Sequence, residues 1–285
     1  MDAGLPAQLP ARQPANSRRS FLAPVWAEAR MQGYYCILQI RNDMLIQWLT
    51  ALVEMLVARQ LWIALYNGRL IYNGYTLDQT LTYVVLSMVI ANQQKDDGVQ
   101  YMHSMIRSGD ILFAFIYPLH FTIGLIVSSL SSLVISLLTT AAPLLLMAVF
   151  VLKVPLPDSP LLWLMFIISF FLGYLILNWI DILAGLLGFW TTETSGLVAW
   201  KRIIVAILSG AYLPLWIFPP AIERLIAYLP FRGIQYVPLS ILVGWIGPES
   251  YLRELVVQIG WVVVLALIAE VLYRLALRKV SIQGG

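Results

Sequence analysis

From Ile111 to Leu152 the chain runs for 42 residues without an Asp, Glu, Lys or Arg. A helix crosses the ~30 Å of bilayer hydrocarbon with about 20 residues. Wound as one helix, 42 residues would extend about 63 Å, too long for one perpendicular crossing and tight for two with a turn between them. Pro118 lies near the start of the run and disfavours an unbroken helix there. The expectation is therefore an interfacial segment at Ile111–Tyr117 followed by one long, tilted span, Pro118–Leu152. The composition points the same way: 60% of residues are hydrophobic and 12% are charged, about half the ~25% charge of an ordinary soluble domain. So little charge does not cover a water-soluble globule of 32.1 kDa, and so much apolar surface excludes disorder. The expected class is an all-α membrane protein.

Apolar runs between charged punctuation give the other spans: Asp43–Tyr66, Leu77–Ala91, Leu161–Phe189, Ile203–Phe218 and Val256–Tyr273, six in all. The fifth is broken by Gly210 and Pro214. With both termini inside, twelve of the eighteen basic residues fall on the inner side and five on the outer, as the positive-inside rule expects. Residues 1–24 hold four prolines and three arginines but no apolar core, and read as a disordered cytoplasmic tail rather than a signal peptide. Residues 25–280 read as one membrane domain. Within it, 25–41 reads either as a helix in the membrane interface, with Glu28, Gln32 and Gln39 on one face, or as an extension of the first span. Between spans five and six, Pro219-Pro220 precedes Ile222, Leu225, Ile226 and Leu229 at helical spacing, and Pro230 ends the helix. The following apolar but broken stretch predicts a short helix or re-entrant pair in the outer half of the membrane; a plain apolar outer loop is the other reading.

The chemistry is sparse. No G-x-x-x-x-G-K-[ST], H-E-x-x-H or G-x-S-x-G occurs. Cys36 is the single cysteine, and two histidines, His103 and His120, do not make a metal set. Nucleic acid is not an expected partner at a net charge of +3. Charged residues inside spans are the default functional candidates. Glu54 falls near the middle of span one, with Arg59 five residues on: either a polar patch on a substrate path or an internal or intersubunit contact. Asp181 follows Asn178 by three residues and shares its face. His120 reads as an interface residue more than a proton relay. The serines at 128, 129, 131, 132 and 136 read as helix-packing groups. Gly98–Pro118, on the inner face, sets Met102, Met105 and Ile106 against Arg107 and Asp110, with a break at Gly109. Such a stretch either docks a cytoplasmic partner or simply lies in the interface.

Four stretches resemble the ABC-2 type permeases of bacterial ABC exporters, in particular a branch of six-span subunits. The first is Leu61-Trp62 through Ile71-Tyr72-Asn73-Gly74-Tyr75-Thr76 to Tyr83. The second is Ile106-Arg107-Ser108-Gly109-Asp110 followed by Pro118-Leu119. The third is Phe189-Trp190 through Gly196-Leu197. The most specific is Ser209-Gly210, Pro214-Leu215, Phe218-Pro219, Leu229-Pro230-Phe231, Tyr236, Pro238 and Gly244. The resemblance covers about 25–280. It implies a permease in the bacterial cytoplasmic membrane, paired with an identical or sister permease and with two ATPase subunits that carry the ATP and Mg. It further implies that Met105, Ile106, Arg107, Ser108, Gly109 and Asp110 form the segment that couples to the ATPase. Residues 25–41 would be an elbow helix, and the segment holding Pro214, Pro219, Pro230, Phe231 and Pro238 would close the exit of the path. Glu54, Arg59 and Asp181 are the path candidates; the Glu54/Arg59 pair departs from the family pattern. The expected cargo is an amphipathic drug, lipid-like molecule or peptide. An ATP-independent transporter or channel, with Glu54, Asp181 or His120 carrying ions, and an intramembrane lipid-modifying enzyme are the rival readings. The first lacks an inverted repeat and the second lacks a nucleophile set.

Overall fold

The computed structural model describes residues 44–72, 74–93, 97–109, 121–191 and 195–283. The N-terminal tail, the 25–41 stretch and the connector 110–120, with Asp110, Pro118 and His120, lie outside them.

Helix α1 (Met44–Tyr66) leads into a small hairpin, β1 (Ile71–Tyr72) and β2 (Tyr75–Thr76), paired Ile71↔Thr76 and Tyr72↔Tyr75. Gly74, at φ 87°, supplies the left-handed conformation that the tight turn needs. Thr76 then starts α2 (Leu77–Ala91) with a capping box. Its hydroxyl accepts from the Gln79 backbone N–H, while the Gln79 side chain accepts from the Thr76 N–H.

Helix α3 (Asp97–Ser108) lies at the opposite end from the hairpin and ends at Gly109, φ 81°. The long uncharged run becomes α4 (Phe121–Phe150), one continuous helix of 30 residues. A π turn at Leu137–Ala141 interrupts its α pattern just ahead of Pro143. The wide turn is the physical answer to that proline, which has no N–H to donate to Thr139 and whose ring would strike the Thr139 carbonyl. Helix α5 (Pro160–Leu186) continues as a 3₁₀ turn, Leu187–Phe189.

Helix α6 (Ser195–Leu208) is shorter and earlier than the expected span Ile203–Phe218. Gly210, at φ 79°, and Pro214 stop it, and the chain goes on as irregular backbone to a 3₁₀ turn at Leu215–Ile217. Short helix α7 (Pro220–Ala227) follows as the Pro-Pro signal predicts, then a 3₁₀ turn Pro230–Gly233 and α8 (Tyr236–Leu242), buried at every residue. Helix α9 (Pro248–Gln283) starts a full eight residues before the expected span, because Pro248 suits a first helical turn.

Among the described residues four helices are long and apolar enough to cross a membrane: α1, α4, α5 with its 3₁₀ turn, and α9. With the apolar but shorter α2 they make a multi-pass membrane protein. Helix α5 is the axis of the bundle, and α3, α4, α8 and α9 all pack on it. At the hairpin end the core is aromatic, built from Trp62, Tyr66, Tyr83, Trp216 and Tyr236. At the α3 end Met102, Phe121, Ile182, Leu186, Ala269 and Tyr273 close it.

Candidate functional site: the two ends of the bundle

Helix α3 is seated on the last turns of α5 by shape. Gly185 and Gly188, three residues apart on one face, leave a groove. A Cβ on Gly185 would lie 2.5 Å from Met102 Sδ, and one on Gly188 would lie 2.6 Å from His103 Cδ2. Met102 and His103 fill the groove at 1% and 2% exposure. The His103 Nε2 lies 3.2 Å from the Ala184 carbonyl, a buried bond in which the ring donates. Burial pushes the His103 pKa below its ordinary 6.5, and nearby Arg107 adds to the fall, against the raising effect of backbone bonds to Ala184 and Gly185.

Of the expected coupling residues, Met105 and Ile106 pack partly buried against the same cluster, whereas Arg107, Ser108 and Gly109 are exposed. Gly98, Gln100, Tyr101 and Ser104 share that exposure, so α3 presents a mostly polar face away from the bundle. Sequence reading missed His103 and the two glycines. The spacing of Gly185 and Gly188 on span four was the signal available.

Beside α3, Gln93, Ser129, Tyr174, Asn178 and Asp181 line a cavity of about 50 Å³. Asn178 and Asp181 both face it, as their spacing predicts. Tyr174 donates to the Ser129 carbonyl at 2.9 Å, and Ser136 donates to the Gln93 side chain. The Asp181 carboxylate is paired with the Lys201 ammonium at 2.7 Å, so α6 neutralises α5 here.

Glu54 and Arg59 are not brought together. The buried stripe of α1 is Ala51, Met55, Ala58 and Trp62. At 100° per residue Glu54 and Arg59 flank that stripe on opposite sides. Glu54 is exposed, Arg59 half-buried, and neither makes an ion pair or hydrogen bond among the described residues.

At the hairpin end, irregular backbone from 209 to 219 is satisfied by side chains of α2. Tyr83 donates to the Gly210 carbonyl at 2.8 Å, and Ser87 donates to that of Ala211. Gln79 Nε2 donates to Val243 at 3.0 Å. This is how broken backbone persists inside a membrane protein. Pro214 and Pro238 are buried, Pro219 caps α7, and Pro230 begins the 3₁₀ turn with Phe231 half-buried. That turn lies flat on α5 because Gly173 has no side chain: a Cβ there would sit 2.5 Å from the Gly233 carbonyl. Gln258, 1% exposed, fastens the contact. Its amide N–H groups donate to Ser169 and Gly233 carbonyls at 3.0 and 2.7 Å, and its oxygen accepts from Ser169 Oγ at 2.9 Å. Arg232 adds a two-pronged bridge to Glu254 at 2.9 and 3.2 Å. Above, Tyr75 stacks on Trp216 and Tyr83 on Trp245, with centroids 4.7 and 4.8 Å apart. The segment is tied to α2, α5 and α9 together. No group of three metal-ligating side chains occurs among the described residues.

Comparison with known proteins gives one family. Residues 52–284 match the family described as ABC-2 family transporter protein. No curated protein matches the chain.

Proposed function

Because the chain belongs to the ABC-2 transporter family and is thus a permease component of an ABC transporter, which works with ABC ATPase subunits, we propose that it is the permease subunit of an exporter. In this reading the chain crosses the bacterial cytoplasmic membrane six times, with α2 and α6 as the short crossings and both termini in the cytoplasm. Two permeases, identical or sister chains, enclose the path, and two ATPases carry ATP and Mg. The cargo is an amphipathic drug, lipid-like molecule or peptide. Glu54, Arg59 and Asp181 remain the polar candidates along its route, and the tied segment from Pro214 to Pro238 is the exit gate.

The observation that carries the proposal is α3. A helix with one face locked into the Gly185/Gly188 groove and the other polar and exposed is built to receive a push from outside the membrane. Because α3 packs on both α5 and the far end of α9, displacement of α3 reaches the two helices that hold the exit segment through Gly173, Gln258 and Glu254. An ATP-independent carrier draws less support, since Asp181 and Glu254, carboxylates set into the bundle, are both neutralised by cations.

The test is co-purification with a cognate ABC ATPase, with transport in proteoliposomes. Wild type is expected to retain the ATPase and to need ATP. Arg107→Ala with Asp110→Ala is expected to lower ATP-dependent transport at least tenfold while the permease still inserts. Transport driven by an ion gradient without ATP, or full transport by the double variant, refutes the reading.

A further inference from the structure

We propose that the cleft under α7 binds the headgroup of a zwitterionic phospholipid with a primary ammonium, of the phosphatidylethanolamine type. This goes beyond transport and does not depend on it. The cleft has a volume of about 230 Å³ and is lined by Leu215, Glu223, Arg232, Tyr236, Arg253 and Glu254. Two of its four charges are already used. Arg232 and Glu254 bridge each other, and the Arg232 guanidinium lies over the Tyr236 ring at 5.5 Å. The other two, Glu223 and Arg253, have no hydrogen bond or ion pair among the described residues. One carboxylate and one guanidinium therefore face a common space without touching each other.

The depth is that of a headgroup. Arg253 and Glu254 are the last charges before α9 runs uncharged from Leu255 to Ala269, so they stand at the edge of the hydrocarbon. The neighbouring α7 turns apolar side chains outward, with Ile222, Leu225 and Tyr228 at 44%, 64% and 80% exposure. Acyl chains cover such a surface while the headgroup enters the cleft.

Charge chooses among lipids. A phosphate accepts from the Arg253 fork, and a primary ammonium gives its three donors to Glu223. A choline offers no N–H and needs open aromatic faces, yet the Tyr236 ring is taken by Arg232. A headgroup of net negative charge leaves Glu223 unanswered in a cleft whose own charges sum to zero.

The full chain in detergent, mixed with equimolar dioleoyl phosphatidylethanolamine, phosphatidylcholine and phosphatidylglycerol, is assayed by native mass spectrometry. Wild type is expected to retain the ethanolamine lipid about tenfold over the other two, the scale of one charge-assisted contact. Glu223→Gln, isosteric at a half-exposed side chain, is expected to lose that preference in favour of phosphatidylglycerol with an unchanged melting temperature. Arg253→Ala is expected to lose retention of all three. Arg224→Ala, on α7 but outside the cleft, is expected to behave as wild type. The proposal is overturned by equal retention of the three lipids by wild type, by an intact preference in Glu223→Gln, or by displacement of the lipid with an equal concentration of soluble phosphoethanolamine.

Discussion

Two side chains, a glutamine and a histidine, carry much of the molecule's order. Gln258 answers the Ser169 hydroxyl and carbonyl and the Gly233 carbonyl at once. Gln258→Leu takes their partner from the buried Ser169 hydroxyl and Gly233 carbonyl, at about 1–3 kcal/mol each at the upper bound; the Ser169 carbonyl keeps its helical bond. A clear loss of melting temperature in detergent is expected, larger than for an exposed change such as Arg224→Ala. Gly173→Ala brings a Cβ against backbone that does not yield, and about 1–3 kcal/mol of overpacking is expected on the same scale. His103 titrates. Its folded pKa is depressed, so the neutral ring belongs to the docked state and its contribution is present above the unfolded value near 6.5. That contribution is lost as pH falls through the lower folded pKa. Protection of α3 amides in hydrogen exchange is expected to weaken on acidification, and His103→Gln is expected to abolish that pH dependence.

At the scale of elements, what was legible followed backbone rules. The Pro-Pro start of α7 and the single long helix of the uncharged run have local causes, and each appears where the pattern places it; the capping box at Thr76 has a local cause too, though the sequence reading did not single it out. The end of α6 was misplaced although Gly210 and Pro214 were read as breaks, because an apolar count carries the span on to Phe218 past the point where the helix stops. There the backbone leaves the helix and finds its partners on α2, 127 and 124 residues away in the chain. The seat of α3 was invisible for a similar reason: an amphipathic pattern shows that a helix has two faces, but not that Gly185 and Gly188 are cut to receive one of them. Gly185→Val is expected to expel Met102 and free α3 without unfolding the spans. Limited proteolysis checks this, with faster cleavage near residues 94–109 and unchanged protection of α5 and α9. Of the polar candidates, Asp181 came with its neighbour Asn178 as spacing required, while Lys201, its counter-charge, lies on another helix and had no signature in sequence.

For the whole molecule, the alternation of helices sorts residues onto two faces. Single cysteines introduced at Asp158 and Glu249, both exposed, with Cys36 replaced, are expected to react with an impermeant maleimide added outside intact cells. Cysteines at Gln100 and Arg278 are expected to react only after permeabilisation. Any exchange between the two groups contradicts six crossings with both ends inside.

The bonds from Tyr83 and Ser87 to the backbone beyond α6 have a mechanical meaning. Regular helices slide past one another by trading van der Waals contacts, but here a side chain of α2 stands in for a missing turn of α6. Sliding these two apart would strand carbonyls in hydrocarbon, at a cost of several kcal/mol for each. They therefore travel as one block, and no hinge fits between them. Trp200, Ile203 and Ile207 on the outer flank of α6 face away from the rest of the described chain. In the proposed two-permease assembly the opening is therefore expected along such an outward flank, at a seam between chains.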